Sequence, residues 1–201
     1  MSDLHRWQAR YAEPGYLFGT EPNAFLRNEA HRLPAGSKVL ALADGEGRNG
    51  VFLAEQGHEV HAVEFSPHAI AKSAALARQR AVSLHTEEAD LAAWEFPTAR
   101  YDAVVAIFIQ FAAPALRTKI FDGIKQALKP GGILLLQGYR PKQLELAGGD
   151  ESDLAHYYTG EILVRAFYDF AAMQITEHDS VIQEGNGHAG LSALIDVVGR
   201  K

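Results

Sequence analysis

The chain has 201 residues, of which 47% are hydrophobic and 22% charged, and its formal net charge is −6 at pH 7. This length and composition fit one globular domain whose core needs no disulfide or metal to hold it together. The acidic balance, with Lys and Arg scattered along the chain, argues against a nucleic-acid backbone as the main partner. No apolar run approaches the roughly 20 residues that span a bilayer. Cysteine is absent, which excludes a Cys nucleophile and a Cys-based zinc site but does not fix the compartment. The polar N-terminus is unlike a secretory signal, and the cytoplasm is the default expectation.

Residues 1–36 are expected to form a helical leader that precedes the main fold. Leu4–Tyr11 has the spacing of a short helix with its aromatic residues four apart on one face. Asn23 can cap a second helix that runs to about Arg32. The leader is either a surface segment that packs its aromatic residues on the core or a lid over a ligand.

Residues 38–54, with the sequence KVLALADGEGRNGVFLA, have the pattern of a strand, a glycine-rich turn and a helix. The pattern predicts a strand over Val39–Ala43, a turn over Asp44–Gly47 and a helix that begins near Arg48. Such a unit holds nucleotide-like cofactors because glycines let the backbone come close and the helix start offers unpaired N–H groups. Gly45–Gly50 also fits the dinucleotide pattern G-x-G-x-x-G.

The charge of this turn argues against a dinucleotide. Asp44 and Glu46 place two carboxylates where a pyrophosphate would bring its own negative charges, and two like charges about 4 Å apart cost roughly 4 kcal/mol at an effective dielectric near 20. An acidic turn suits a ligand with a cationic end, such as the sulfonium and α-ammonium groups of S-adenosylmethionine. Arg48 and Asn49, at the helix start, are candidates to bind the carboxylate of that cofactor or an anionic substrate.

The next two predicted strands are also followed by acidic residues. Val60–Val63 is expected to be a strand that ends at Glu64, before a helix over Pro67–Arg80. An acid at the tip of the second strand can accept both ribose hydroxyls of an adenosyl ligand. A third strand over Val82–Thr86 precedes Asp90, whose carboxylate can accept a hydrogen bond from the exocyclic amine of adenine. A solvated turn is the alternative for this acidic stretch.

The middle of the chain continues the alternation of strand and helix. Tyr101–Phe108 is nearly all apolar, as a strand covered on both faces should be. Ala113–Leu128 has apolar residues at helical spacing, and KPGG at Lys129–Gly132 predicts the turn that ends this helix. A fifth strand is expected over Ile133–Gln137. The polar stretch Tyr139–Tyr158 predicts a long loop on the ligand side.

The end of the chain predicts a helix and a hairpin. Thr159–Phe170 has helical spacing. Met173–Ile182 and Leu191–Val198 are expected to pair as antiparallel strands because the short Gly-rich turn Glu184–Gly190 joins them. The fold class is therefore α/β, a single domain whose sheet core covers residues 37–201. The sheet is doubly wound, mostly parallel and seven-stranded, with an antiparallel C-terminal hairpin.

Together these stretches resemble a known family. GEGRNGVFLA in the turn and helix, Glu64, the LKPGG turn and the closing hairpin resemble the class I S-adenosylmethionine-dependent methyltransferases. More narrowly, YLFGTEPNAFL in the leader, AIFIQFAAPALR and EGNGHAG resemble small bacterial proteins described as tellurite-resistance or thiopurine-methyltransferase-like. The resemblance covers nearly the whole chain. It implies a Rossmann-like fold, S-adenosylmethionine as cofactor and a small-molecule acceptor, in a monomer or a homodimer.

The resemblance also implies a role for each matching position. Gly45 and Gly47 would line the methionine part of the cofactor, and Glu64 would hold the ribose. The remaining positions are Phe65 against the adenine, Asp90 and Leu91 at the adenine edge, and Ala106 and Ile107 facing the sulfonium.

Two positions depart from the D-x-G-x-G pattern that is usual in this family. Ala41 stands in place of the acid and Ala43 in place of the first glycine. Asp44 is the candidate for the missing acid, one step nearer the glycines. A methyltransferase-like protein that binds the cofactor without catalysis is therefore an alternative. A nicotinamide-dependent oxidoreductase is a further alternative, which the acidic turn and the KPGG motif oppose.

The acceptor site has few signals in the sequence. A general base is needed only if the acceptor carries its proton at the working pH. His188, in the Gly-rich hairpin turn, is the best candidate for that base, although a histidine in a turn can equally be solvated. Tyr11, Tyr16 and Tyr139 could shape an acceptor pocket or serve only in packing. A soft acceptor such as a thiolate, a selenol or reduced tellurium would need no base.

Nine histidines raise the question of a metal site. His58 and His61 are three apart beside the second strand, so their side chains point to opposite faces, and no acidic partner completes a site. No metal is expected.

Overall fold

The computed structural model describes residues 3–147 and 151–201. Within these residues the strands are β1 (Lys38–Leu42), β2 (Glu59–Glu64), β3 (His85–Glu88), β4 (Tyr101–Ile107), β5 (Leu128–Tyr139), β6 (Ala172–Glu184) and β7 (His188–Arg200). The α-helices are α1 (Asp3–Ala12), α2 (Ala24–Glu29), α3 (Arg48–Glu55), α4 (Pro67–Gln79), α5 (Pro114–Ala127), α6 (Gln143–Ala147) and α7 (Gly160–Ala166). Two 3-10 helices cover Ala30–Arg32 and Glu151–His156. None of the described helices is long and apolar enough to cross a membrane.

The seven strands form one sheet in the order β3-β2-β1-β4-β5-β7-β6. Strands β1 to β5 pair in parallel, and β7 lies antiparallel between β5 and β6. The predicted α/β class with an antiparallel C-terminal hairpin is confirmed. The strand order reverses between β1 and β4, and open α/β sheets bind ligands outside the carboxyl ends of the strands at such a point.

Apolar side chains cover both faces of the sheet. On one face, Leu40 of β1 belongs to the same buried cluster as Ile120 of α5. On the other face, Val39 clusters with Leu26 of α2 and Leu53 of α3. Because neighbouring residues of β1 project to opposite faces and both faces are buried, the strand is a continuous apolar run with no polar alternation.

The third strand lies further along the chain than predicted. Val82 was expected to begin it, but the strand covers His85–Glu88. The difference arises at the end of α4, where Ala81 has a φ of 55° and the Val82 N–H donates to the Ala77 carbonyl oxygen at 3.0 Å. Val82 therefore closes the helix end and packs beside α4 instead of starting a strand.

The KPGG segment is part of a strand and not a separate turn. Strand β5 starts at Leu128, directly after α5, and Leu128 pairs with Tyr101 before the register shifts. Within that shift the Gly131 N–H donates to the carbonyl oxygen of Lys201 at 2.8 Å, so the segment also holds the C-terminal residue. The two glycines, from which the sequence predicted a turn, instead accommodate the irregular start of the strand.

The predicted loop and hairpin also contain more regular structure than expected. The stretch Tyr139–Tyr158 includes α6 and a 3-10 helix, and its residues 148–150 lie outside the described part of the chain. The hairpin strands extend beyond their predicted ends, so the turn shrinks to residues 185–187. His188 is therefore the first residue of β7 and is held by the ladder.

Candidate functional site

A cleft of about 250 Å³ opens at the carboxyl ends of the central strands, where the strand order reverses. The turn after β1, the residues after β2 and the residues after β4 form its walls, and α1 with the segment after it covers one side. A second cavity of about 210 Å³ adjoins it and shares Glu64, Phe65 and Phe111 with it. Because they share these lining residues, the two cavities are described together as one cleft.

The glycine-rich turn brings the backbone to the floor of this cleft. Gly45 and Gly47 have φ values of 59° and 90°, in the left-handed region that favours glycine. A Cβ on Gly47 would stand 2.8 Å from the Cα of Ser73, so only glycine lets α3 and α4 approach this closely. Ala43 also has a positive φ, of 48°, which explains why a glycine suits that position better.

Asp44 caps helix α3 from inside the cleft. Its two carboxylate oxygens lie 3.1 and 3.2 Å from the Gly50 N–H, which donates to them. Burial raises the pKa of Asp44 to about 7, against the opposing effect of the Gly50 hydrogen bond. The carboxylate is thus costly to ionise without a cationic partner, and it lines the cleft where such a partner would sit.

Glu64, at the end of β2, lies where the two cavities meet. Its Oε2 accepts from the Gly45 N–H at 2.9 Å, and its Oε1 accepts from the Ser66 N–H at 3.0 Å. Burial raises its pKa. A carboxylate has about four acceptor sites, and three backbone N–H groups, of Gly45, Ser66 and Phe65, act on this one, so acceptor capacity is left for a ligand hydroxyl.

Glu46 binds groups of the protein itself, although its charge suggested contact with a cationic ligand. Its Oε1 lies 2.7 Å from Lys72 Nζ, and its Oε2 accepts from the Leu17 N–H at 2.7 Å. Both oxygens are therefore engaged, and the residue ties the leader to the turn and to α4. Of the two acids in the turn, Asp44 is the one that forms no ion pair with a side chain in the described part of the chain.

At the opposite end of the cleft, His188 lies among aromatic rings. Its ring centroid is 4.4 Å from that of Phe18, 4.5 Å from that of Phe108 and 5.7 Å from that of Tyr139. Its Nδ1 lies 3.5 Å from Glu184 Oε2. Burial lowers the pKa of His188, although the carboxylate of Glu184 acts to raise it. The imidazole is thus favoured in its neutral form, which can accept a proton.

A buried polar network holds this end of the cleft together. Arg48 Nη2 donates to Glu184 Oε2 at 2.7 Å, and Asn23 Nδ2 donates to Glu184 Oε1 at 2.8 Å. Asn23 Nδ2 also reaches Gln137 Oε1 at 2.7 Å, and the Asn23 N–H donates to Asn49 Oδ1 at 2.9 Å. Arg48 Nη1 is buried and has no hydrogen-bond partner within the described residues. This donor of the network is left for an anion.

The leader reaches the cleft in two places. Trp7 and Tyr11 of α1 line it, and a Cβ on Gly45 would stand 3.0 Å from the Tyr11 hydroxyl, so α1 lies directly over the turn. Further along, the carbonyl oxygen of Leu17 accepts from the N–H groups of Asn186 and Gly187 at 3.0 and 2.9 Å. This contact fastens the leader to the hairpin turn beside His188.

Most residues predicted for the site line the cleft, and three do not. Those that line it are Tyr11, Asp44, Gly45, Arg48, Asn49, Glu64, Phe65, Asp90, Leu91, Ile107, Tyr139 and His188. Gly47 packs against α4 below the cleft. Ala106 points into the core because side chains alternate along β4, and Ile107 alone of the pair reaches the cleft. Tyr16 lies away from it, with its hydroxyl donating to the Lys72 carbonyl oxygen at 3.1 Å.

Four aromatic residues of the cleft were missed from the sequence: Trp7, Phe18, Phe108 and Phe111. Phe108 had a signal, because it follows directly on β4 at the carboxyl edge of the sheet, and its φ of 54° marks an unusual backbone there. Phe18 and Trp7 had no sequence signal that placed them in the cleft, since their positions depend on how the leader docks on the sheet core.

Comparison with known proteins agrees with this geometry. A family model described as a methyltransferase domain matches residues 39–132, from β1 into β5. This part of the chain is therefore similar to methyltransferase domains. This match supports the methyltransferase family and the S-adenosylmethionine cofactor that were expected from the sequence.

The chain is also similar to a curated N-methyltransferase. The glycine/sarcosine N-methyltransferase of Halorhodospira halochloris is 28% identical over an alignment of 166 residues, and the match covers 79% of this chain and 57% of that protein. The chain thus spans little more than half the length of this curated relative.

Two solved structures show the same fold at low sequence identity. TehB from Haemophilus influenzae superposes with a TM-score of 0.71 at 17% identity, covering 97% of this chain and 65% of TehB. The N-methyltransferase NodS from Bradyrhizobium japonicum WM9, solved with S-adenosyl-L-homocysteine, also has a TM-score of 0.71, at 14% identity and with 99% of each chain covered. These likenesses concern the fold alone.

Proposed function

We propose that this methyltransferase domain transfers a methyl group from S-adenosylmethionine to a small-molecule acceptor whose attacking atom is soft, a thiol or another chalcogen. The observation that carries this proposal is the aromatic end of the cleft, where the rings of Phe18, Phe108 and Tyr139 surround His188. A neutral imidazole, held beside a carboxylate and surrounded by aromatic rings, lies at the end of the same cleft that contains Glu64 and the glycine-rich turn.

The residues of the cleft fit the cofactor at three points. Glu64 can accept a hydrogen bond from the ribose hydroxyls, and Asp44, which is buried and paired with no cationic side chain among the described residues, suits the α-ammonium group. Arg48 Nη1, buried and without a partner among the described residues, suits the carboxylate. The second cavity, with Asp90 and Leu91, would take the adenine. Bound there, the cofactor supplies an electrophilic methyl group on a sulfonium.

The leader would serve as a lid over this cofactor. Trp7 lines both cavities and Tyr11 stands over Gly45, so α1 covers the cleft along its length. A cover of this kind excludes water, which strengthens every electrostatic contact inside. Leu17 and Glu46 hold the far end of the leader in place.

His188 would act as the general base for an acceptor that enters protonated. Its Nδ1 faces Glu184, so the ring proton on Nδ1 would point to the carboxylate, and Nε2, for which the described residues supply no hydrogen bond, would take the proton of a thiol. Glu184 would then stabilise the imidazolium that forms. The 3.5 Å separation is long for a hydrogen bond, and catalytic contacts of this kind often shorten only when substrate is bound.

The surroundings of His188 favour a neutral, polarisable acceptor over a cationic one. Its neighbours are the rings of Phe18, Phe108 and Tyr139, and sulfur makes favourable contacts with aromatic rings of about 0.3–1.5 kcal/mol each. Within the described residues the carboxylates near this end are already paired, Glu184 with Arg48 and Glu46 with Lys72. An ammonium acceptor would therefore find no free counter-charge beside His188.

The proposal is tested by binding and turnover on the same preparation. Isothermal titration with S-adenosylmethionine, S-adenosylhomocysteine and NADH should give binding of the first two only. Methyl transfer should then be seen with aromatic or aliphatic thiols, or with selenide, and should fall in His188→Gln while the affinity for S-adenosylhomocysteine stays the same. Binding without turnover on any thiol, chalcogen, amine or carboxylate would instead support a cofactor-binding protein without catalysis, and binding of NADH alone would support an oxidoreductase.

A further inference from the structure

Three side chains that could bind a metal ion lie together outside the cleft, at the edge of the sheet formed by β2 and β3. His61 of β2 is the register partner of His85 of β3, and Glu87 follows two residues later on β3. Because side chains alternate along a strand, His85 and Glu87 project from the same face. One ligand atom from each of the three residues lies within 4.8 Å of the others. We propose that His61, His85 and Glu87 bind a divalent transition-metal ion of the Zn²⁺ type.

His61 is oriented as a metal ligand would be. Its Nδ1 lies 2.6 Å from the hydroxyl of Tyr101, a fully buried residue of β4. Its Nε2 is buried and makes no aligned hydrogen bond within the described chain, although Glu87 Oε2 lies 3.0 Å away. Histidine ligands typically use one ring nitrogen for the metal and give the other to a hydrogen-bond partner that fixes the ring.

The other two residues are placed to complete the site from the solvent side. Trp94 Nε1 donates to Glu87 Oε1 at 2.8 Å, which leaves Oε2 turned toward His61. The His85 ring lies beside the His61 ring, with 4.6 Å between their centroids. Ligand atoms around one ion at about 2.0–2.2 Å are roughly 3.3–3.6 Å apart in a tetrahedron. The exposed side chain of His85 and the partly exposed one of Glu87 can reach that spacing by small rotations.

The donor set decides the class of ion. Two imidazoles and one carboxylate suit Zn²⁺ and its first-row neighbours Co²⁺, Ni²⁺ and Cu²⁺, and they do not suit Mg²⁺ or Ca²⁺, which prefer oxygen ligands. Three protein ligands leave a fourth position for water at the exposed edge. From the sequence, a metal site was considered only for His58 and His61, whose side chains face opposite sides of the strand. The partners of His61 are instead His85 and Glu87, which come from the neighbouring strand β3.

The site is tested on the untagged full chain after removal of metal with EDTA. Titration calorimetry with ZnCl₂ should show one ion bound per chain, and His85→Ala and Glu87→Gln should each weaken Kd at least tenfold. The control is His68→Ala, which removes an exposed histidine of α4 outside the group and should bind like the wild type. Circular dichroism checks folding, and His85→Asn replaces His85→Ala if that variant does not fold.

Trp94 provides an independent signal because its ring lies 6.2 Å from that of His61 and its N–H contacts Glu87. Ni²⁺ should quench its fluorescence at one equivalent, and Trp94→Phe should lose most of that quenching while still binding Zn²⁺. Absence of stoichiometric Zn²⁺ binding by the wild type, or equal affinity in the wild type and the folded His85 and Glu87 variants, would overturn the proposal. Neither result bears on methyl transfer, since the site lies outside the cleft.

Discussion

Arg48 Nη2 lies 2.7 Å from Glu184 Oε2, and both side chains are only 8% exposed. This ion pair joins the start of α3 to the end of β6, and its two residues are 136 positions apart in the chain. Asn23 adds the leader to it through a hydrogen bond to the other oxygen of Glu184. The three segments that surround the acceptor end of the cleft therefore meet at one carboxylate.

Replacement of Glu184 by Gln should destabilise the fold strongly. The change keeps the shape of the side chain but leaves the Arg48 charge buried without a partner, and breaking a buried pair in this way costs about 3–5 kcal/mol. Urea unfolding of the two proteins measures the difference. The matched control is Glu161→Gln. Glu161 pairs with Arg165, and both side chains are 81% exposed, so this variant should lose less than about 1 kcal/mol of unfolding free energy. Similar losses in both variants would contradict the structural role of the buried pair.

The pH dependence of methyl transfer should reveal the base. Burial lowers the pKa of His188 below its ordinary value near 6.5, so the base is neutral and active above that lowered pKa. With a thiol acceptor, kcat/KM should rise along an acid limb that lies below pH 6.5 and then level off until the thiol itself ionises. His188→Gln should lose about 10²–10⁴-fold in rate at neutral pH. Its remaining rate should increase only as the thiol ionises; an unchanged profile would exclude His188 as the base.

The strand, turn and helix around the glycine-rich turn were predictable because local physics decides them. An apolar run, glycines at positive φ and a helix start within 17 residues leave little choice of structure, and Glu64 follows from where the second strand must end. The same local signals misplaced β3, because a short polar strand such as His85–Glu88 has no apolar pattern of its own. Its position depends on pairing with β2.

The lining of the acceptor end could not be predicted because distant segments create it. Phe18 reaches His188 only because the Leu17 carbonyl oxygen binds the hairpin turn, and Glu46 is neutralised by Lys72 from another helix. No spacing within the sequence encodes these contacts. His188 was identifiable as a candidate from its residue type and its Gly-rich turn, but its burial and its neutral state come from the docking of the leader.

Asp44→Asn should stabilise the free protein at alkaline pH. The folded-state pKa of about 7 is above the unfolded value near 3.9, so the native state holds a proton that the unfolded chain releases between these pH values. Wild-type stability therefore falls as pH rises from about 4 to 7, and a neutral Asn avoids a cost on the order of 2–4 kcal/mol at pH 8. Urea unfolding at pH 8 should show the gain, and unfolding near pH 4 should show almost none.

The same substitution should weaken binding of S-adenosylmethionine if Asp44 meets the α-ammonium group. A loss of stability at pH 8, or a gain that persists undiminished at pH 4, would mean that burial of the Asp44 charge is not the cause. A gain in stability with unchanged cofactor affinity would place the ammonium contact elsewhere in the cleft.

Glu64→Ala should reduce cofactor affinity without abolishing the fold. A hydrogen bond to a charged group contributes about 1.5–3 kcal/mol, which corresponds to a roughly 10- to 150-fold weaker Kd for S-adenosylhomocysteine. Calorimetry measures the change, and Glu88→Ala, at the exposed end of the neighbouring strand β3, provides the control that should bind normally. Glu64→Gln should lie between the two, because it keeps one acceptor oxygen for the Gly45 or Ser66 N–H but loses the charge. Equal affinity in the Glu64 and Glu88 variants would mean that the ribose is held by another residue.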